Sequence, residues 1–230
     1  TERKPYESGL MNGILSKELI YSQEMAFHNQ ICKIVPSAFY RHFLKYFIGW
    51  FNRDLMKCLT LEQKEEIYGI SQYASSEFNY IGNPYQRLLN YHAAHDIGHA
   101  LQNLALVGCS SFATWGNASL NNDLIIGRNF DFFVGEDFAK NKIIAFCNPD
   151  SGYKFMTITW GGMTGVLSGM NIKGITVTIN AAKSTIPEGS ATPISLLSRE
   201  ILQYASNINE AIAIAKCRKT FVSESILIGS

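Results

Sequence analysis

The spacing of the hydrophobic residues changes once along this chain, near Cys109, and that change limits what the chain can fold into. Upstream, apolar residues such as Leu10 and Ile14, or Phe39 and Phe43, recur roughly every three to four positions, which indicates amphipathic helices. Downstream, apolar residues alternate with polar ones, a pattern typical of strands. Helices followed by consecutive strands predict an α+β fold in which the two kinds of element form separate layers.

The individual elements follow from this periodicity and from the turn residues between them. Helices are expected near 10–20, 36–51, 61–73, 85–106, 193–205 and 208–217. Strands are expected near 111–115, 123–129, 142–147, 154–160, 164–169, 175–180 and 223–229. Short turns, among them Gly116-Asn117 and Gly161-Gly162, separate most of these strands, so we expect antiparallel pairing.

The two ends of the chain bear on its organisation. The chain begins at Thr1 without an initiator Met or a signal-like apolar segment, so the compartment stays open, and export is compatible if a leader has been removed. At the other end, the predicted strand 223–229 is followed by nothing with which it could pair. We therefore expect a C-terminal portion to lie on another chain or to be absent.

Composition excludes several classes of protein. The net charge is +1 and no stripe of Lys and Arg stands out, so nothing supports nucleic-acid binding. No uncharged apolar run reaches the length of about 18 residues that a membrane span needs. The cysteines are widely spaced and form no C-x-x-C pair, which argues against a disulfide framework and against a cysteine zinc site. They are Cys32, Cys58, Cys109, Cys147 and Cys217.

Cys109 stands where the helical half meets the strand half, directly after Gly108. A glycine tolerates the strained backbone that a self-cleaving peptide bond needs. An ordinary thiol has a pKa of about 8.5 and is mostly protonated at neutral pH. If the bond before Cys109 is cut, the new α-amine has a pKa of about 7.7–8.0 and can serve as the base for the thiol on the same residue.

Hairpin geometry links Cys109 to two charged residues. A turn centred near 118–120 places Cys109 opposite 127–131, where Arg128 could lower the thiol pKa and Asp131 could orient the α-ammonium. Residues three apart in a flat strand point to opposite faces, so we expect a bulge or a strand end to bring both into one site. The alternatives are a simply buried cysteine and a surface ion pair.

These residues resemble a known family. The strings G-C-S-S-F at 108–112 and G-R-N-F-D-F at 127–132, together with the segment 169–180, are similar to the linear-amide Ntn hydrolases. That group includes the acyl-CoA:6-aminopenicillanic acid acyltransferases (peptidase family C45), acid ceramidase, N-acylethanolamine acid amidase and the choloylglycine hydrolases. The resemblance covers about residues 105–183.

The resemblance implies an αββα sandwich that is made as an inactive precursor. Residues 1–108 would be a helical pro-segment, and residues 109–230 an incomplete catalytic domain. Cys109 would be both nucleophile and free amine, Arg128 and Asp131 the charged pair beside it, and Asn180 a donor in the oxyanion hole. The family's further catalytic Asn and Arg would lie beyond the end of this chain. No cofactor and no metal are implied.

The implied activity is hydrolysis of a linear amide in an N-acyl compound through an acyl-thioester. Transfer of the acyl group to an amine would make the protein an acyltransferase, and a member that binds acyl groups without catalysis is a further alternative. The expected partners are the small-molecule amide and the cleaved N-terminal segment. The acyl and amine groups and the oligomeric state stay open.

Two other patterns have competing interpretations. His92, His95 and His99 share one face of the predicted helix 85–106 and could bind a metal, but no His-Glu-x-x-His motif is present. We favour a satisfied, partly buried helix face. The aromatic run within 39–51 is predicted to lie in the core, with the lining of a lipid tail as the alternative.

Overall fold

The computed structural model of the protein describes residues 4–94, 96, 107–132, 134–182, 189–221 and 223–230. These residues form a mixture of helices and strands, so the predicted α+β class is confirmed. In the first half the elements are helical: α1 (Pro5–Ile34), α2 (Ala38–Phe51), a 3₁₀ turn (Leu55–Cys58), α3 (Leu61–Ser71), a 3₁₀ turn (Ser76–Phe78) and α4 (Pro84–His92).

Strands dominate the second half. They are β1 (Val107–Gly116), β2 (Asn122–Phe132), β3 (Ile143–Cys147), β4 (Phe155–Thr159), β5 (Ser168–Asn171), β6 (Thr176–Ala181) and β7 (Glu224–Gly229). A short helix, α5 (Glu136–Ala139), follows β2, and two longer ones, α6 (Ile194–Tyr204) and α7 (Ile208–Lys216), precede β7. Every strand pair in the ladders is antiparallel, as the short turns predicted.

Local signals explain where the helices begin. The Ser37 side chain accepts a hydrogen bond from the backbone of α2, and Asn83 does the same for α4. Thr60 and Gln63 form a capping box at the start of α3, in which each side chain bonds to the backbone of the other. These caps satisfy backbone N–H groups that a helix cannot pair internally, so the starts are decided by the local sequence.

The strands form two ladders. β3 to β7 make a five-stranded sheet in chain order, and β1 and β2 make a separate hairpin that lies against β6. One face of the five-stranded sheet packs on α6, where Val177, Ile179 and Leu202 are fully buried or nearly so. The other face carries the hairpin. The described residues are therefore layered as helices, sheet and hairpin, and Cys109, Arg128 and Asn180 lie between the last two layers.

A second hydrophobic core joins the N-terminal helices to α6. It contains Ile67 and Ile70 of α3, Leu88 of α4 and Leu196 of α6. A buried ion pair crosses the same boundary, with Arg199 Nη2 lying 2.6 Å from Glu66 Oε2. The predicted division into 1–108 and 109–230 stays a prediction, but residues on either side of it share one core.

Several predicted elements differ from the observed ones, among them the helix expected near 10–20, which extends from Pro5 to Ile34. The helix expected over 85–106 ends at His92, and 97–106 lies outside the described residues. The strand expected over 164–169 begins only at Ser168. The reason is that Thr164 and Val166 donate their backbone N–H groups to His92 Nε2 and to the carbonyl oxygen of Ser195, and not to a neighbouring strand.

The core prediction for the aromatic run is wrong for all its members but Phe51, which is half-buried and packs against the second core. No residue of α2 is fully buried, and its other Phe, Tyr and Trp side chains are exposed. The helix contacts the rest of the protein through its other side, where Leu44 and Ile48 are half-buried. Periodicity identified the aromatic face correctly, but the body of the protein lies on the opposite side of the helix.

Candidate functional site

The register of the hairpin sets the neighbours of Cys109. Cys109 pairs with Phe130, Gly108 with Asp131 and Ser111 with Arg128. The expectation that Cys109 lies opposite 127–131 is therefore confirmed. The strands are joined through 117–121, which agrees with the predicted turn centre.

Turn chemistry and one close contact fix that register. Gly116, Asn121 and Asn122 adopt left-handed backbone conformations with φ of 58°, 59° and 61°, which Gly and Asn tolerate best. Further along the hairpin, the Phe112 ring lies over Gly127, so closely that a side chain at Gly127 would collide with it. The two motif strings of the sequence thus meet across the hairpin.

Cys109 and Arg128 share the inner face of the hairpin. Paired residues of an antiparallel ladder point to the same side, and Arg128 is two positions from Phe130, the partner of Cys109. The Arg128 guanidinium carbon lies 4.4 Å from the centre of the Phe130 ring. Its nitrogens donate to Ser168 Oγ at 2.9 Å and to the Ile179 carbonyl oxygen at 2.8 Å. Arg128 therefore bridges the hairpin to the sheet beside the thiol.

The pKa of Arg128 depends on its burial and on its two neighbours Cys109 and Asp131. Burial lowers the pKa of the Arg128 guanidinium, because a buried cation loses its hydration. Three other effects raise that pKa. They are the charge of Cys109, a hydrogen bond with Cys109 and the charge of Asp131. A thiolate at Cys109 and the guanidinium of Arg128 would thus stabilise one another.

Asp131 lies on the other face of the hairpin, opposite Gly108. A Cβ atom at Gly108 would lie 3.7 Å from Asp131 Cβ and 3.9 Å from Asp131 Oδ2, so the carboxylate flanks the peptide bond between Gly108 and Cys109. Neither the bulge nor the strand end that was expected brings Arg128 and Asp131 to one face, because their pairing is regular and the only shift in the hairpin register lies between Thr114 and Gly116. Arg128 and Asp131 therefore lie on opposite faces of the hairpin.

Gly108 does not have the strained backbone that was expected. It has no positive φ and takes part in the regular ladder. Backbone strain at the bond between Gly108 and Cys109 is therefore not a feature of this conformation.

Asn180 lies in β6, directly after the carbonyl group that Arg128 binds. Its side chain is buried, and Nδ2 donates to the Thr178 carbonyl oxygen at 3.3 Å and to Thr178 Oγ1 at 3.5 Å. Its Oδ1 atom has no hydrogen-bond partner among the residues that the structure describes. Thr178 pairs with Ser168, so Asn180 projects from the same side of the sheet as the residue that holds Arg128.

Two residues of this site were not predicted from the sequence. Phe130 supports the guanidinium through its ring, and its period-two spacing from Arg128 was a usable signal. Ser168 binds the same guanidinium from a different sheet. No local pattern connects residues so far apart in the chain, so only the folded structure reveals Ser168.

The histidine pattern has a structural explanation where it is described. His92 is fully buried; its Nδ1 donates to the Leu88 carbonyl oxygen at 2.7 Å, and its Nε2 accepts from the Thr164 backbone at 3.0 Å. Burial lowers the pKa of His92 to about 4, so the ring is neutral. His95 and His99 lie outside the described residues, and within the described ranges no cluster of three or more His, Cys, Asp or Glu residues is placed to hold a metal ion.

The other thiols differ from Cys109 in their neighbours, and Cys32 Sγ lies 3.5 Å from His28 Nε2. All five cysteines are free. Burial raises the pKa of Cys147 to about 11 and also raises that of Cys58, which makes these thiols poor nucleophiles. Cys217 is exposed.

Comparison with known proteins gives a coarse assignment. The family model described as acyl-coenzyme A:6-aminopenicillanic acid acyl-transferase matches residues 119–228. That stretch contains Arg128, Asp131 and Asn180 but begins after Cys109. The match supports an Ntn-hydrolase-like family and an enzyme of acyltransferase or hydrolase type.

Two relatives are similar to part of the chain. An uncharacterized protein of Archaeoglobus fulgidus is 27% identical over 125 residues, which cover 54% of this chain and 21% of the relative. The protein dcd1B of Dictyostelium discoideum is 25% identical over 134 residues, which cover 57% of this chain and 25% of the relative. The matched part of the chain thus spans about a fifth to a quarter of the length of these relatives.

Among the described helices, none combines the length and apolar character needed to cross a bilayer.

Proposed function

We propose that this protein is a self-processing cysteine hydrolase that cleaves the linear amide of an N-acyl compound, with Cys109 as nucleophile. The observation that carries the proposal is the position of Cys109. Its thiol shares the inner face of the hairpin with the Arg128 guanidinium, while the Asp131 carboxylate flanks the bond to be cut.

Processing would start with an intramolecular acyl shift. The Cys109 sulfur attacks the Gly108 carbonyl carbon, a C–S bond forms, and the C–N bond to Cys109 breaks. The freed nitrogen takes the thiol proton and becomes the α-amine. Water then hydrolyses the thioester, releasing the Gly108 carboxylate and restoring the thiol. Asp131 would hold the new ammonium group by charge, and its pairing with Gly108 across the ladder supports this role.

Turnover would reuse the same atoms on an external amide. The α-amine of Cys109 takes the thiol proton, and the sulfur attacks the acyl carbon of the substrate. Arg128 stabilises the thiolate by charge, and Asn180 Nδ2 donates to the developing oxyanion, a contribution of about 2.7–4 kcal/mol for a single donor of this kind. The leaving amine takes the proton, and water attacks the acyl-thioester to release the acid. If an amine attacks instead, the product is a new amide and the protein is an acyltransferase.

Residues 1–108 would remain bound after cleavage. The core shared by α3, α4 and α6 and the ion pair between Glu66 and Arg199 do not depend on the bond at Gly108. Gln63 Nε2 adds a hydrogen bond to Glu200 Oε1 at 3.2 Å. The mature protein would thus be a two-chain assembly that separates only on unfolding.

Intact-mass measurement on the purified protein tests the proposal. We expect one fragment that begins at Cys109 and one that ends at Gly108, copurifying in a single peak under native conditions. Cys109→Ala should stay uncut and inactive toward N-acyl amides. Cys217→Ala is the matched control, because Cys217 is an exposed free thiol remote in sequence from the hairpin, and it should be cut normally. Uncut wild-type protein without amidase activity would refute the proposal.

A second candidate is a member of the fold that binds acyl groups without catalysis. It is favoured by the apolar side chains that β3, β4 and β5 expose on the hairpin side of the sheet, among them Ile144, Phe146 and Ile158. An acyl probe that reacts with thiols distinguishes the two candidates. Selective labelling of Cys109 supports catalysis, whereas equal or absent labelling of the five thiols supports binding alone.

A further inference from the structure

The aromatic residues of α2 form a stripe that the rest of the fold leaves uncovered. Each is more than half exposed, and together they occupy one side of the helix. We call these residues the aromatic stripe: Phe39, Tyr40, Phe43, Tyr46, Phe47 and Trp50. Contiguous exposed apolar patches commonly mark sites where a protein binds another protein, a ligand or a membrane.

The orientation of α2 is held firmly, so the stripe is not the side of a loose helix. Arg41 Nη1 donates to the carbonyl oxygens of Val35 at 2.8 Å and of Pro36 at 2.5 Å. Lys45 Nζ donates to the Tyr80 carbonyl oxygen at 3.1 Å. These cations and the half-buried Leu44 and Ile48 all lie on the inward side, so the helix is anchored with its aromatic side outward.

The charge around the stripe is positive. Segment 33–57 contains five Lys or Arg residues and one acid, Asp54, a net charge of +4 in a chain whose total is only +1. Arg53 places its guanidinium carbon 4.8 Å from the centre of the Trp50 ring. Lys57 is largely exposed, with 79% of its side chain open to solvent. Arg41 and Lys45 lie on the inward side, and Arg53 Nε and Lys57 Nζ lie 3.7 Å and 2.7 Å from the carboxylate of Asp54. Arg53, Lys57 and Asp54 together leave a net charge of +1 beside the aromatic stripe.

The exposed aromatic residues and the neighbouring cations together indicate what kind of surface the aromatic stripe binds. Helices that lie in a membrane interface carry Trp, Phe and other large apolar residues on one side and Lys and Arg around it. A second copy of this chain is disfavoured, because docking two stripes would bring two groups of cations together. Anionic lipid headgroups supply the opposite charge, and the ends of Trp and Tyr side chains suit the wet boundary of a bilayer.

We propose that α2 lies flat on an anionic membrane, with the aromatic stripe inserted among the headgroups and the upper part of the acyl chains. Arg53 and Lys57 contact the lipid phosphates. The protein would thus bind the membrane surface through one amphipathic helix without spanning it. The proposal does not depend on the chemistry of Cys109.

Vesicle cosedimentation of the full chain tests this proposal. We expect binding to vesicles of equal parts phosphatidylglycerol and phosphatidylcholine, and much weaker binding to pure phosphatidylcholine. Phe43→Ser with Phe47→Ser should reduce the affinity by roughly tenfold or more, since each ring loses apolar burial in the membrane. Trp115→Ser is the matched control, because Trp115 is 65% exposed but lies in β1, and it should bind like wild type.

Charge reversal separates the electrostatic contribution from the apolar one. Arg53→Glu with Lys57→Glu should abolish the preference for anionic vesicles, and added salt should weaken wild-type binding in the same direction. Circular dichroism should show every variant folded, because no residue of α2 is buried. The proposal fails if wild type does not bind, or if the stripe variants bind as tightly as wild type. It also fails if wild type forms a concentration-dependent dimer that Phe43→Ser with Phe47→Ser dissociates, because the stripe would then be covered by a second copy.

Discussion

Helices α2 and α6 have similar lengths and similar apolar patterns, yet they stand at opposite extremes of burial. In α6, ten residues from Ile194 to Gln203 are buried, including the charged Arg199 and Glu200. In α2, none is buried, although the helix is rich in aromatic residues. The comparison teaches that periodicity shows which residues share a face, but it does not show whether that face is covered.

The largest expected difference comes from removing a buried cation of α6 and an exposed cation just after the end of α2. Arg199→Met should leave Glu66 buried without its partner and destabilise the protein by about 3–5 kcal/mol. Arg53→Met should change the free energy of unfolding by less than about 0.5 kcal/mol, since Arg53 is mostly exposed. Urea unfolding measures both. Equal effects would contradict the distinction between the two helices.

Truncation of one apolar side chain in each helix is the next test. Leu202→Ala should cost about 2–5 kcal/mol, because Leu202 is fully buried between α6 and the sheet. Phe47→Ala should have little effect on unfolding in solution while weakening vesicle binding. A loss of stability in Phe47→Ala comparable to that in Leu202→Ala would mean that the stripe is packed against protein.

A smaller effect is expected from pH, at the contact between α4 and the start of α6. His92 has its pKa lowered to about 4 by burial, while the unfolded chain has the ordinary value of about 6.5. The unfolded state therefore binds the proton first. The contribution of neutral His92 to the free energy of unfolding is fully present above pH 6.5. Up to about 3 kcal/mol of it is lost as the pH falls to 4.

Comparing wild type with His92→Gln isolates this contribution. Arg199 also lowers the pKa of His92, and the buried Asp96 has its pKa raised, so its own titration has the opposite sign. Both groups remain in the variant. Thermal unfolding between pH 4 and 7 should be less dependent on pH in His92→Gln than in wild type. Identical pH profiles would show that His92 is not held neutral.

Much of the fold was predictable because its signals are local. The switch of period at Cys109, the caps at Ser37 and Asn83, and the turn residues between strands all act over a few positions. Hairpin counting then placed Cys109 opposite the correct segment. What failed depends on distant partners. The strand expected from Thr164 was displaced by hydrogen bonds to α4 and α6, and Ser168 carries no local sign that it binds Arg128.

The sequence by itself determined the class of fold, the positions of most helices and strands, and the pairing of the nucleophile candidate with its charged neighbours. These follow from propensity, periodicity and turn chemistry, which each act within one or two elements. Only the tertiary structure decided that Asp131 flanks Gly108 from the far side of the hairpin, that Arg128 is anchored on a second sheet, and that α2 faces solvent. Each of these depends on which surfaces meet, and burial is a property of the whole packed chain.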